Sequence, residues 1–169
     1  MDLADLRLMY DYNDWADDRI LSASARLPHE QFVAPGSYPW GGLRGTLAHT
    51  LDAHYSWRRF FAEGAFPPDE LTETGFATFD ALQQRWHEEA SLMRSYLGSL
   101  DDGAIRRVVT YVNDAGIKRE RVLWHCLYHV VNHGTQHRSE SAALLTGFGQ
   151  SPGDLDFTLF LAELAKRKT

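Results

Sequence analysis

Apolar positions recur at helical spacing along most of the chain. Leu3, Leu6, Tyr10, Ile20 and Leu21 fall on one stripe and Pro28 stops it, which predicts a first helix over residues 3–27. Leu43, Leu47, Trp57 and Phe61 predict a second over 43–63, ended by Gly64. Phe79, Leu82, Trp86, Met93 and Leu97 predict a third over 78–100. The longest stripe predicts a fourth over 120–146, closed by Gly147, Gly149 and Pro152-Gly153. A short fifth is expected over 154–168, with Asp156 placed to cap it and basic residues in its last turn, where the helix dipole favours them.

The intervening stretches read differently. Residues 28–42 and 64–75 are broken by proline and glycine and are expected to be loops, with Tyr38 and Trp40 packing over a bundle end. Residues 106–112 are β-prone and 113–116 carry a turn signal, so a short hairpin or extended loop is expected there. Long helices with apolar stripes must bury those stripes against each other. The expected fold class is therefore all-α: a four-helix bundle with a short additional C-terminal helix and a short hairpin before the last bundle helix. No repeat, low-complexity tract or linker divides the chain, and 1–169 reads as a single domain.

The polar positions of the fourth helix carry the candidate chemistry. Between residues 125 and 140, His125, His129, His133 and His137 stand at strict four-residue spacing. Side chains at i and i+4 share a helix face, so two neighbouring imidazoles can close on one metal ion. All four cannot: at about 1.5 Å of rise per residue the outer two lie about 18 Å apart. One adjacent pair is the most a single ion can use, and a third ligand must come from elsewhere. Advancing about 100° per residue, Leu123, Leu127, Val130, Gly134, Ser141, Leu144 and Phe148 form one apolar face. His137 lies within it, His133 on its flank, and His129 and His125 turn away, which points to His133/His137. Trp124, Tyr128 and Val131 make a second apolar face. The bland alternative is a helix of polar histidines that merely fall in register.

A histidine from the second helix is the natural third ligand, because bundle metal sites form where facing helices converge. Spacing leaves His49 and His54 open, since His54 lies at least as deep in that helix's apolar arc. His87, beside Glu88 and Glu89, is expected to be exposed. Asn13, a poor helix former inside the first helix, is either held by a specific hydrogen bond or solvent-exposed.

Composition narrows the classes. The chain has 169 residues, 24% charged and 44% apolar, with net charge -6 and pI near 5.7. The acidic balance and lack of a basic stripe exclude a nucleic-acid binder that relies on phosphate neutralisation. The run from Lys118 to Arg121 contains Glu120 and reads as a solvated face. No apolar run reaches transmembrane length and the N-terminus lacks a signal-peptide core, so no membrane role and a cytoplasmic setting are expected. The one cysteine, Cys126, fits that setting and reads as a buried structural thiol.

Together these residues resemble the DinB family of helical metal-binding proteins. Tyr12-Asn13-Asp14-Trp15-Ala16 is similar to its first-helix signature, and Leu43-Arg44-Gly45-Thr46-Leu47-Ala48-His49, followed by Trp57, to its second. Val130-Val131-Asn132-His133-Gly134-Thr135-Gln136-His137-Arg138 resembles its third, and Asp154-Leu155-Asp156-Phe157 its C-terminal segment. By position the resemblance implies a metal triad of His49, His133 and His137, and so selects His49 over His54. The family commonly has Gly-Gln after the arginine where this chain has Ser139-Glu140.

Three imidazoles leave an open fourth position, the layout of catalytic rather than structural zinc. The cofactor expected is a divalent metal ion, zinc or nickel foremost, since ligand type alone does not name it. Asp52, Glu140 and Asn13 are candidates to accept the other ring nitrogen of a ligating histidine. The resemblance further implies a metal-dependent enzyme that activates a low-molecular-weight thiol for S-transfer to a small-molecule electrophile, and homodimers, for which the Trp124/Tyr128/Val131 face is available. The alternatives are a non-catalytic metal-binding, stress-associated protein and a metal-dependent hydrolase.

Overall fold

A capping box starts the chain's first helix: the Asp2 side chain accepts from the Asp5 amide, and the Asp5 carboxylate accepts from the Asp2 amide. The computed structural model describes residues 1–113 and 115–167. Asp114 of the expected turn and Lys168 of the expected last helix lie outside the described residues. Helix α1 (Leu3–Ser24) is followed by a single-turn α2 (His29–Phe32), then α3 (Leu43–Glu63), α4 (Phe79–Gly98), strands β1 (Val108–Val112) and β2 (Lys118–Val122), α5 (Leu123–Gly147) and α6 (Phe157–Lys166). The expected all-α bundle with a small hairpin is what the chain adopts.

Boundaries move where local chemistry overrides periodicity. α1 stops at Ser24, three residues short of Leu27, and the single turn of α2 lies in what reads as loop. The last bundle helix begins at Leu123 rather than Glu120, because residues 118–122 pair antiparallel with β1, Val108 opposite Val122 and Val112 opposite Lys118. β2 thus runs directly into α5. Thr78 caps α4 through the Ala81 amide, and Asp156 caps α6 through the Thr158 amide. α3 ends at Gly64 with φ +82°, the left-handed conformation that glycine adopts without steric cost.

α5 packs against both α1 and α3, α3 against α4, and α4 back against α1, which closes the bundle. The apolar core is split. One part gathers Leu6, Tyr10, Phe61, Met93, Leu123 and Leu127 towards the hairpin end. A second gathers Ile20, Leu47, Leu51, Leu82, Trp86 and Leu145, and a smaller third joins Tyr12 and Ala16 of α1 to Phe160 of α6. Of the second apolar face of α5, Val131 is buried in the first cluster and Trp124 packs on it, while Tyr128 is 40% exposed. The remaining buried polar residues include Asn13, Asp17, His54, Glu89, His137 and Arg138. No helix among the described residues is long and apolar enough to cross a membrane.

Candidate metal centre

α3 and α5 bring His49, His133 and His137 together. The Nε2 of His133 lies 3.2 Å from that of His49 and 3.1 Å from that of His137. One ligand nitrogen from each residue falls within 4.8 Å of the others, a grouping able to hold a metal ion. Tetrahedral ligands about 2.0–2.1 Å from one ion are separated by about 3.3 Å, so the spacing fits an ion coordinated by three imidazoles. The donor chemistry fits as well. His133 Nε2 stands within hydrogen-bond distance of two other ring nitrogens, neutral imidazoles have too few protons to satisfy every lone pair there, and a shared cation resolves that conflict.

Protonation is set for ligation. Burial pushes His49 down to about 4, with the neighbouring His137 adding to the effect and Glu140 opposing it. Burial pushes His133 down to about 3, reinforced by His137 and His49. Both rings are therefore neutral at neutral pH, the form that coordinates metal. His137 is 3% exposed, and its Nδ1 lies 2.7 Å from a Glu140 carboxylate oxygen. A carboxylate only accepts, so Nδ1 carries the proton and Nε2 keeps its lone pair for the centre. The Nδ1 of His133 is buried without a hydrogen-bond partner among the described residues.

Of the candidate acceptors, only Glu140 reaches a triad ring. Asp52 accepts the Leu71 amide at 2.7 Å. Asn13 is buried, which settles the choice between a held and an exposed side chain. Its Nδ2 donates to Asp17 at 2.9 Å, and its Oδ1 accepts from Arg138 Nη1 at 2.6 Å. Arg138 also donates to Asp17 at 2.9 Å and to Thr135 at 2.9 Å, and the Trp86 indole donates to Asp17 at 3.3 Å. This network ties α1, α4 and α5 together one residue beyond His137. Gly134 makes room for it: a Cβ there would stand 2.8 Å from Arg138 Nη1 and 2.9 Å from Asn13 Oδ1.

The other histidines are elsewhere. His54 is buried with its ring edge-on to Trp86, centroids 5.5 Å apart, and outside the triad. His129 sits edge-on to Trp57 at 5.3 Å. His125 is exposed, and His87 is exposed with Asp18 at 3.5 Å. Cys126 is buried in the core, and burial raises its thiol pKa, so it is no nucleophile.

Sequence reasoning missed the part played by Trp40. Rather than packing over a bundle end, its indole stacks on the His49 ring, centroids 3.6 Å apart and planes at 10°. It also lines a pocket of about 390 Å³ with His49, Gly45, Asp52, Glu70 and Glu73. Larger depressions, about 840 Å³ along α4 and about 630 Å³ between α1 and α6, touch none of the three histidines. Only the Pro39-Trp40-Gly41-Gly42 string, an aromatic among breakers, hints at this arrangement in the sequence.

The family model described as DinB family matches residues 2–168. The chain is also 24% identical to Protein DinB of Bacillus subtilis (strain 168), over 94% of this chain and 95% of that one.

Proposed function

The chain belongs to the DinB family, and from that premise we propose that it is a metal-dependent enzyme that activates a low-molecular-weight thiol for S-transfer to an electrophile. The observation that carries the proposal is the approach of the His49 and His137 Nε2 atoms to that of His133, at 3.2 and 3.1 Å, with Glu140 fixing the tautomer of His137. A divalent ion, zinc or nickel foremost, held by these three rings would supply Lewis acidity at an open position and lower the pKa of a thiol placed there.

The chain's own residues do the rest. His49, from α3, and the His133/His137 pair, from α5, aim their lone pairs at one point because the two helices pack against each other. Glu140 holds the proton of His137 at Nδ1. Trp40 covers the outer face of His49 and keeps water from that ring. The pocket of about 390 Å³ beside His49 has room for a small thiol or its acceptor.

The test is metal content followed by turnover. Purified protein should hold one divalent ion per chain and lose it when any of the three histidines is replaced by alanine. Metal-loaded protein screened against electrophiles with several thiols should consume thiol and electrophile together. Turnover with water alone would make it a hydrolase, and full metal content without turnover would make it a non-catalytic metal-binding protein.

A further inference from the structure

The pocket beside His49 is built around one side chain. Residues 39–45 fold so that Trp40 lies flat on His49, and three glycines permit it. Gly41 has φ +78°, and a Cβ on Gly42 would stand 1.9 Å from the Ala34 carbonyl oxygen. A Cβ on Gly45 would stand 1.9 Å from the carbonyl oxygen of Trp40 itself. No L side chain fits at Gly42 or Gly45 without moving backbone, so the loop is pressed onto α3 in one arrangement. One face of the indole is taken by His49, yet Trp40 is 46% exposed, so its other face and edge are open.

The rest of the wall has one sign of charge. Asp52, Glu70 and Glu73 line it, and no lysine or arginine among the described residues does. Asp52 accepts the Leu71 amide at 2.7 Å and Glu73 has Arg44 at 3.8 Å, while Glu70 is in no ion pair among the described residues. A cleft lined by one sign of charge concentrates ligands of the opposite sign, and an open indole face is the best aromatic receptor for a cation.

We propose that this pocket admits substrates that carry a positive charge, an ammonium or similar cation, and that Trp40 is the specificity-determining residue that seats it. The inference rests on the metal-dependent reading and names a substrate class for the same site. Because His49 belongs to both the triad and the pocket wall, a molecule seated on Trp40 presents its reactive end next to the centre.

Binding of charge-varied thiols tests it. Protein loaded with cobalt(II) is titrated with 2-aminoethanethiol, 2-mercaptoethanol and 3-mercaptopropionate, probes of similar reach and different charge. The thiolate-to-cobalt absorption band reads binding. Intrinsic thiol acidity differs among the probes, so the readout is the change in the affinity ratio of cationic to anionic thiol between proteins. That ratio should fall about tenfold in the Trp40→Leu protein and again in the Glu70→Gln/Glu73→Gln protein, with cobalt stoichiometry intact. A ratio unchanged in both variants, or no band with any probe at full cobalt occupancy, overturns the charge selection and leaves the metal centre standing. Failure of the wild-type protein to take up cobalt would instead sink the metal reading, and this inference with it.

Discussion

His49, His133 and His137 share one point, so alanine at any of them should abolish stoichiometric metal retention, read as metal per chain on folded, purified protein. His125→Ala should leave the content unchanged. His129 is the sharper control: it lies one turn before His133 and leans on Trp57, so a rival His129/His133 site would lose metal there and keep it in His137→Ala. Glu140→Gln should weaken metal affinity by about 10–100-fold, the usual cost of losing the partner that orients a ligating histidine. A competition titration against a chelator measures it, and unchanged affinity would remove Glu140 from the site. Gly134→Ala tests close packing. Its methyl group would meet Arg138 and Asn13 at under 3 Å. A loss of about 1–3 kcal/mol in denaturant unfolding is expected, and a neutral result would show that the network can yield.

Between elements, the buried pair of Asp17 on α1 and Arg138 on α5 joins the two helices, each side chain 3% exposed. Removing one partner leaves the other charge buried and unpaired, so Arg138→Met alone should cost about 3–5 kcal/mol. The double change with Asp17→Leu should recover much of that loss, because two apolar side chains no longer strand a charge. Unfolding of the two single variants and the double variant closes a cycle, and additive losses would argue that the pair is not coupled. Glu89 joins α3 to α4 in the same way, receiving Arg58 from one helix and Arg85 from its own. The Asp17–Arg138 tie holds α5 against α1 one residue beyond His137.

Over the whole molecule, buried titratable groups predict how stability follows pH. His49 and His133 titrate at about 4 and about 3 in the fold, below the ordinary histidine value near 6.5. The unfolded chain therefore binds more protons between those values, so their contribution to stability is present above about pH 6.5 and is lost as pH falls towards 4 and then 3. Burial lowers His54 and His129 in the same sense. Asp14 opposes them. Burial raises it to about 7, and Asp17 adds to the effect against the pull of Arg94, so the folded state holds its proton more tightly. Its contribution is present at low pH and lost as pH rises through about 7. In chelator, the midpoint of denaturant unfolding should fall from pH 7 to 4, and more steeply in Asp14→Asn, where the opposing group is gone. A shallower slope in that variant would reverse the assignment. Bound metal should steepen the decline further, because protons compete for the same nitrogens.

The helices follow from the residue pattern, because an apolar stripe of period 3.6 has few ways to be buried, and the same period makes the histidines at 133 and 137 face one way. One cap was legible too: Asp156 stands where its side chain reaches the Thr158 amide. Glycine and proline marked the loops, although the single turn of α2 escaped notice, since four residues are too short for a period. Pattern alone could not choose His49 over His54, since both face the interior and differ only in what stands opposite. Packing decides it: His49 meets α5 at His133, while His54 meets Trp86 of α4. Tertiary structure alone also showed that Glu140, not Asp52 or Asn13, reaches a triad ring, and that Trp40 lies on His49. Glu140 stands three residues after His137 on the same helix, within reach by spacing, but only the rotamers show that they meet. The contacts of His49 and Trp40 join residues distant in the chain or depend on a loop whose course three glycines permit, and periodicity records only which way a residue faces, never what it meets.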